Sequence, residues 1–532
     1  MADRSLVAKN LRGQLNFSQQ WGAHGITAIL GGEVREALNQ PRQSLTVFGY
    51  QEDPLSQVRI NPVAIYPTYI SGTPERIPTT QGVSGYSLTR FVSTYANGFY
   101  TLAKKYTLSG SFRKDAANIF GLKTNDKWNP LWSSGIGWLL SNERFYKATA
   151  FPYLKLRVTY GYSGNLDPRK TPLPISSALS DPVTGFPVQR VNSLNNPSLR
   201  WEKSRQVNFG VDFRLVRDIA SGSIEYYLKK GTKLYGPAPL DYTTWGRSLD
   251  IVKNVADMKG QGVDISITTN NLNRAVTWRT MWIYNYNTSK TTRYYSNDSK
   301  DFYTAGEDGN RIKPVVGWPL YSLTAYTWGG LDAKGDPQGY LDGHLSTDYN
   351  AINNSIVSKG LQSGSLKYIG STVPLHFGSV INFLEWRRLQ LSFNLMYKAG
   401  YFFKKRTFSS MDAIAGRGGH ADYNLRWQQA GDEARTTVPA LVYTDYPQFS
   451  ERDMFYINAQ PNVVRGDHVR LYYTNLAYEA RLKNKAGTVV RINANAANLW
   501  ILWRANRYKL DPEAPDGAPA ARQYTIGINA SF

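Results

Sequence analysis

Apolar and polar side chains alternate with a period of two through much of this chain, and that repeat restricts what it can fold into. In "YLKLRVTYGYSGN" (153–165), Leu154, Leu156, Val158, Tyr160 and Tyr162 share one parity, and Lys155, Arg157, Thr159, Gly161 and Ser163 share the other. Strand side chains point alternately to two faces, so the pattern predicts a strand with one greasy and one wet side. The alternation recurs in "NLRGQLNFSQ", "YTLSGSFRKD", "RQVNFGVDFR", "AVTWRTMWIYNYN", "RLQLSFNLMYK" and the final "RQYTIGINASF". Runs of about 9 to 12 residues exceed the usual 5–6 of a soluble strand and approach the length of a tilted membrane strand. A one-residue slip of 153–165 would turn Lys155 and Arg157 toward lipid, at about 2–4 kcal/mol each.

Connections alternate between short and long. "FLEWRRLQ", "RLVRDIASGSIEYY" and "TTNNLNRAVTW" read as tight turns, whereas 164–200, 290–365 and 402–465 are long and rich in Gly, Pro, Asp and Tyr. Long irregular connections argue against a compact soluble domain but are expected on one side of a membrane barrel. The expectation is an all-β, transmembrane antiparallel β-barrel of about 14–16 strands with no helix. No apolar run nears the length of a membrane-crossing helix, a test to which barrels are blind. Tyr (36) exceeds Phe (21), a bias suited to membrane interfaces and to sugar-binding β-proteins alike.

The formal charge of +22 is spread over "AKKYTLSG", "YLKKGTKL", "EWRRLQL" and "FFKKRTF", at the ends of strand-like runs. That placement suits lipopolysaccharide phosphates or the steering of an anionic solute; without a module or a concentrated basic stripe it does not point to nucleic acid. With no cysteine there is neither a disulfide framework nor a thiolate metal site. The five histidines lack zinc-protease spacing, and Asp332, Asp336 and Asp342 lack the spacing of a calcium loop. No nucleophile elbow or phosphate loop is present; Ser163 in "GYSGN" sits on the polar parity of a strand. No catalytic residue, metal site or cofactor is therefore assigned. Candidate binding residues are the loop aromatics Tyr242, Trp245, Trp328 and Tyr340, which suit stacking on sugar rings or peptide side chains.

Several segments together resemble the SusC/RagA-like TonB-linked outer-membrane transporters. They include "YTLSGSFRKDAANIFGLKTNDKWNPLWSSGIGWLLSNERF", "LKLRVTYGYSGN", "NPSLRWEKSRQVNFGVDF", "NVADMKGQGVDISI", "LKYIGSTVPLHFGSVINFLEW" and "GDHVRLYYTNLAYEA", in family order from about Leu11 to Phe532. The resemblance implies the C-terminal part of a 22-stranded barrel over residues 1–532, with signal peptide, TonB box, plug and first strands missing. It also implies uptake of oligosaccharides or peptides at the outer membrane. Implied partners are a SusD-like surface lipoprotein, the TonB system through the missing plug, and the barrel-assembly machinery, for which Phe532 resembles the terminal signal. Outer-membrane lipid and lipopolysaccharide would surround it. Alternatives are a secreted all-β glycan-degrading enzyme and a truncated remnant without function. Free sheet edges are costly in hydrocarbon, so the strand near residues 9–20 is expected to pair with 522–532 or with missing strands.

Overall fold

The computed structural model describes residues 4–531 apart from 42–47, 62–63, 70–71, 78–86, 119–127, 166–172, 182–183, 185, 195, 197, 240–242, 244–249, 296–314, 482–487 and 516. Among the described residues, fifteen antiparallel strands form one sheet in which sequence neighbours are spatial neighbours throughout. They are β1 (Arg4–Trp21), β2 (His24–Pro41), β3 (Ser87–Leu102), β4 (Tyr106–Ala117), β5 (Trp128–Leu139), β6 (Tyr153–Asn165), β7 (Glu202–Arg214) and β8 (Ala220–Pro239), followed by β9 (Asp250–Asn273), β10 (Val276–Tyr294), β11 (His376–Trp386), β12 (Leu389–Ala399), β13 (His468–Arg481), β14 (Val489–Arg504) and β15 (Gln523–Ser531). Each alternating run of the sequence falls inside one of these strands. Several strands outgrow their apolar run: β9 has 24 residues and β8 has 20. Their upper ends continue the hydrogen-bond ladder beyond the greasy belt, where Ala238, Val255 and Ala256 form a small buried cluster.

Registers align the apolar parity across strands. One row runs Tyr100, Leu108, Ile136, Val158, Phe209, Tyr226, Val263, Tyr286 from β3 to β10. No second sheet covers this belt among the described residues: Leu15 is 73% exposed, Ile136 63% and Val158 45%. A soluble sandwich would bury that parity between stacked layers, so this observation excludes the reading as a two-sheet enzyme. On the opposite face the wall is polar, with Ser111, Ser133, Gly161, Gln206, Lys229 and Gly260 in one row. Tyrosines cover glycines directly across the ladder; a Cβ on Gly31 would lie 2.4 Å from the Tyr95 hydroxyl. This pairing fills a gap in the pleat that glycine leaves open.

The short turns gather at one end. Trp386 pairs with Leu389, leaving Arg387–Arg388 as the two-residue turn, and Trp21 pairs with His24 around Gly22–Ala23. Gly22 has φ +55°, in the left-handed region where a side chain is disfavoured. Between β5 and β6 the turn is anchored by Glu143, which accepts hydrogen bonds from the hydroxyl of Tyr106 (2.5 Å), Lys105 Nζ (2.9 Å) and Trp138 Nε1 (3.0 Å). The Tyr106 bond foremost, then Lys105 and Trp138, hold its carboxyl down at about 2.

The structure decides one alternative and corrects one expectation. Of the two partners expected for residues 9–20, it excludes 522–532: β1 bonds only β2 and β15 only β14, so the sheet is open along both outer edges among the described residues. Right-handed twist and tilt set how many strands close a barrel, and these fifteen do not return to the first. Helices are also present: α1 (Tyr349–Lys359), α2 (Ser410–Ile414) and α3 (Phe449–Ile457), all in the long connections. Asp348 caps α1 by accepting from Ala351 N, and Gly360 ends it at φ +63°. Its buried face is Tyr349, Ile352 and Ile356, an i, i+3, i+7 set in an otherwise mostly polar sequence.

The Glu143 cluster yields a pH test. A carboxyl depressed in the folded state adds stability that is complete above its unfolded value of 4.5 and disappears as pH falls through about 2. The stability difference between the native chain and Glu143→Gln is expected to be constant above about pH 5 and to shrink steadily toward pH 2. Thermal unfolding in detergent as a function of pH measures it; a difference that grows on acidification contradicts the assignment.

Candidate functional site

The long connections 315–375 and 400–467 fold together at the long-loop end of the sheet. Tyr326, Tyr349, Ile352, Ile356, Leu366, Phe455 and Ala459 form one buried cluster, and Phe408, Val438 and Tyr456 form a second beside it. Short strand pairs tie the segments together: Ser322–Tyr326 with Leu366–Ser371, Gly339–Leu341 with His344–Ser346, and Phe402–Lys404 with Val463–Arg465. Helix α3 is the joint. On one side Arg452, 0% exposed, donates from Nε to Asp336 Oδ1 at 2.6 Å and from Nη2 to the carbonyls of Gly335 and Ala440 at 3.1 Å each. On the other, Asp453 accepts from Ser409 Oγ (2.5 Å) and Ser410 N (2.9 Å), fixing the start of α2.

Asp336 therefore has a structural use. Its second oxygen accepts the Tyr446 hydroxyl at 2.5 Å. Burial first, and the negative Asp336 beside it, push that phenol up to about 12. Asp332 Oδ1 takes the N–H groups of Lys334 and Asp336 at 2.8 Å each, closing a turn, and Asp342 pairs with Lys359. The three aspartates serve separate contacts, and the described residues hold no group of three or more potential metal ligands.

Among the predicted aromatics, Trp328 is half-buried between the two clusters, its ring 6.2 Å from that of Tyr456, and its backbone N–H donates to Gln460 Oε1 at 3.1 Å. Tyr340 lies opposite Leu345 in a short hairpin, half-buried, and its carbonyl accepts the Ser365 hydroxyl. Backbone bonds from Gly329 N to Gln338 O and from Gln338 N to Gly330 O, 2.8 Å each, bring their two segments side by side. Tyr242, Trp245 and Phe532 lie outside the described residues.

The polar wall carries a second set of groups that sequence reading missed. Tyr95, 7% exposed, is flanked by Arg12 and Arg113, whose guanidinium carbons lie 5.1 and 5.9 Å from its ring centre. Arg12 Nε donates to the Tyr95 hydroxyl at 2.6 Å, and Arg113 is held by Asp115 at 2.7 Å. These residues border a depression of about 650 Å3 whose floor includes Ser133, Gln206 and Asn208. Farther along, Arg157 binds Asp212 with two bonds of 2.7 and 2.8 Å and Glu225 with a third of 2.7 Å. Polar parity was legible for each residue singly; their convergence required the register.

No protein-family model matches the chain. It is 23% identical over 556 residues to TonB-dependent receptor P3 of Formosa agariphila, covering 97% of this chain and 52% of that protein. It is 30% identical over 243 residues to TonB-dependent receptor P39 of the same organism (44% and 22% covered), and 22% over 466 residues to the TonB-dependent receptor SusC of Bacteroides thetaiotaomicron (83% and 44%). Among solved structures, the RagAB peptide transporter superposes with a TM-score of 0.72 at 20% identity, covering 99% of this chain and 56% of that one. The chain spans about half the length of the curated relatives it matches, or less. These proteins are named as receptors and transporters, not enzymes.

The Arg452–Asp336 joint makes a testable demand. Removing one partner of a buried pair strands the other, at about 3–5 kcal/mol. Asp336→Ala is expected to open the loop body, with fast proteolysis and amide exchange in 315–375 and 400–467 while β6–β9 stay protected. Equal protection in both proteins would contradict the keystone role.

Proposed function

We propose that this chain, homologous to the SusC/RagA-like TonB-dependent transporters, forms the C-terminal wall of an outer-membrane nutrient importer that takes up oligosaccharides or peptides. The observation that carries the reading is the single-layer sheet, with an uncovered apolar belt on one face and a polar wall on the other. A lipid bilayer is the environment in which such a belt is satisfied. On this reading the short turns face the periplasm, the loop body faces outward, and the polar wall lines the solute path.

The remaining parts of the proposal follow from that orientation. The loop body around Trp328 and Tyr340 is a platform on which a SusD-like lipoprotein would deliver solute. Tyr242 and Trp245, which lie outside the described residues, would serve as further stacking residues. Energy would come from the TonB system through a plug carried outside 1–532. Phe532 would mark the last strand for the barrel-assembly machinery, and lipopolysaccharide would surround the outer rim. The open edges of β1 and β15 call for further strands. An edge of about ten residues exposes roughly five N–H and five C=O groups, each costing several kcal/mol in hydrocarbon.

The test is to produce 1–532 alone and together with a chain supplying plug and first strands from a relative. Alone, it is expected to give no heat-modifiable band in outer-membrane fractions. Together, it is expected to give a folded band and TonB-dependent accumulation of a labelled glycan or peptide. A folded outer-membrane species from 1–532 alone would refute the edge argument, and a folded but water-soluble product would refute the importer reading.

A further inference from the structure

Above the apolar belt the outward parity of β6 to β10 changes character. The strand registers place Tyr162, Arg205, Lys230, Lys259 and Lys290 in one unbroken row across five neighbouring strands. All four cations are exposed. Three like-charge pairs thus stand directly opposite one another (Arg205 with Lys230, Lys230 with Lys259, Lys259 with Lys290), an arrangement that weakens a sheet unless an anion balances it. Among the described residues none of the four has an ion-pair partner. Arg205 lies beside the hydroxyls of Tyr160 and Tyr162. Asp257, on the same face two residues along β9 from Lys259, accepts from Lys233 N and the Tyr295 hydroxyl at 3.1 Å each, and one carboxylate does not balance four cations.

Height and shape narrow the counter-ion. Arg205 and Lys230 lie about 10 residues above their short-turn ends, and Lys259 and Lys290 about 14. At about 3.4 Å per residue and a 45° tilt these are rises of about 24 to 34 Å, each above its own strand's turn, against an apolar band about 25 Å tall. The row, whose members pair directly with one another, stands at the top of that band. It borders a groove of about 790 Å3 in which Val207 and Leu228 lie next to the cations. One wall of that groove is the 316–319 segment, clipped to β10 by Thr291 N to Trp318 O and Gly317 N to Thr291 O, both 2.8 Å. A free anion needs no greasy floor, and a neutral acyl chain needs no row of cations.

Resting on the outer-membrane reading above, we infer that Arg205, Lys230, Lys259 and Lys290 form a binding site for a phosphate-bearing, multiply acylated lipid of the outer leaflet. The phosphates bridge adjacent cations, and the acyl chains lie down the belt over Leu228, Tyr226 and Ile224. Bridging removes the cross-strand repulsion and pins the 316–319 segment at the base of the outer loops.

The test uses the full chain completed as above and purified in detergent, with bis-phosphorylated lipid A, its dephosphorylated form and inorganic phosphate as probes. Native mass spectrometry and thermal shift report binding. The variant Arg205→Gln/Lys230→Gln/Lys259→Gln/Lys290→Gln is compared with Lys104→Gln/Arg144→Gln/Lys147→Gln at the short-turn end. Phosphorylated lipid A is expected to bind the native chain and the short-turn variant alike, and the row variant at least about tenfold more weakly, since charge-assisted bonds are lost. The dephosphorylated lipid is expected not to distinguish the three proteins, and inorganic phosphate to compete only weakly. Equal retention by the row variant, or equal binding of both lipids to the native chain, overturns the site. The single variant Lys259→Gln, expected to give an intermediate loss, keeps the proposal testable if the quadruple variant fails to fold. Correct outer-membrane fractionation without phosphate selectivity sinks this inference alone; absence from the membrane sinks the importer reading first.

Discussion

Everything in this molecule depends on the backbone ladder of a sheet one layer thick. Fifteen strands satisfy one another's N–H and C=O groups, and no second layer is needed to bury the polar chain. That frees both faces for solvents of opposite kind. One face carries Leu108, Ile136, Val158, Phe209 and Tyr226 in register; the other carries Ser111, Gln206, Arg157 and Asp212. Among the described residues the same ladder leaves the outer edges of β1 and β15 unpaired, so a single layer trades a second covering sheet for two open edges.

The loops obey different physics. Polar wall residues are held by paired charges, as in Arg157 between Asp212 and Glu225. The outer body has a miniature core of its own, with Ile352, Ile356, Phe455 and Tyr456 nearly unexposed, and a buried Arg452 that ties residues 335–336 to the 400–467 connection. A buried ion pair is a weak source of net stability but a strong determinant of geometry, because its misplacement strands a charge. The long connections are therefore a folded platform, with Trp328 wedged at its centre.

The two ends of the belt are also built differently. Near the short turns, Thr280 and Trp278 both donate to the Asn382 side chain at 2.8 and 2.9 Å, so polar groups there are closed on one another. At the upper end, Lys230, Lys259 and Lys290 are left without internal partners among the described residues.

Period-two alternation by itself determined the fold class, the faces and the short turns, because a strand's side-chain direction is a local property that needs no partner. It also set Lys155 and Arg157 on the wet side. Only tertiary structure decided what lies beside what. The cation row from Arg205 to Lys290, the Tyr95 sandwich and the Arg452–Asp336 pair join residues tens to more than a hundred positions apart, through strand register and loop docking that no local window contains. The helices stayed hidden for a related reason: α1 carries its three buried apolar residues, Tyr349, Ile352 and Ile356, among Asn and Ser, and its stability comes from docking on Tyr326 and on Phe455, about a hundred residues along the chain.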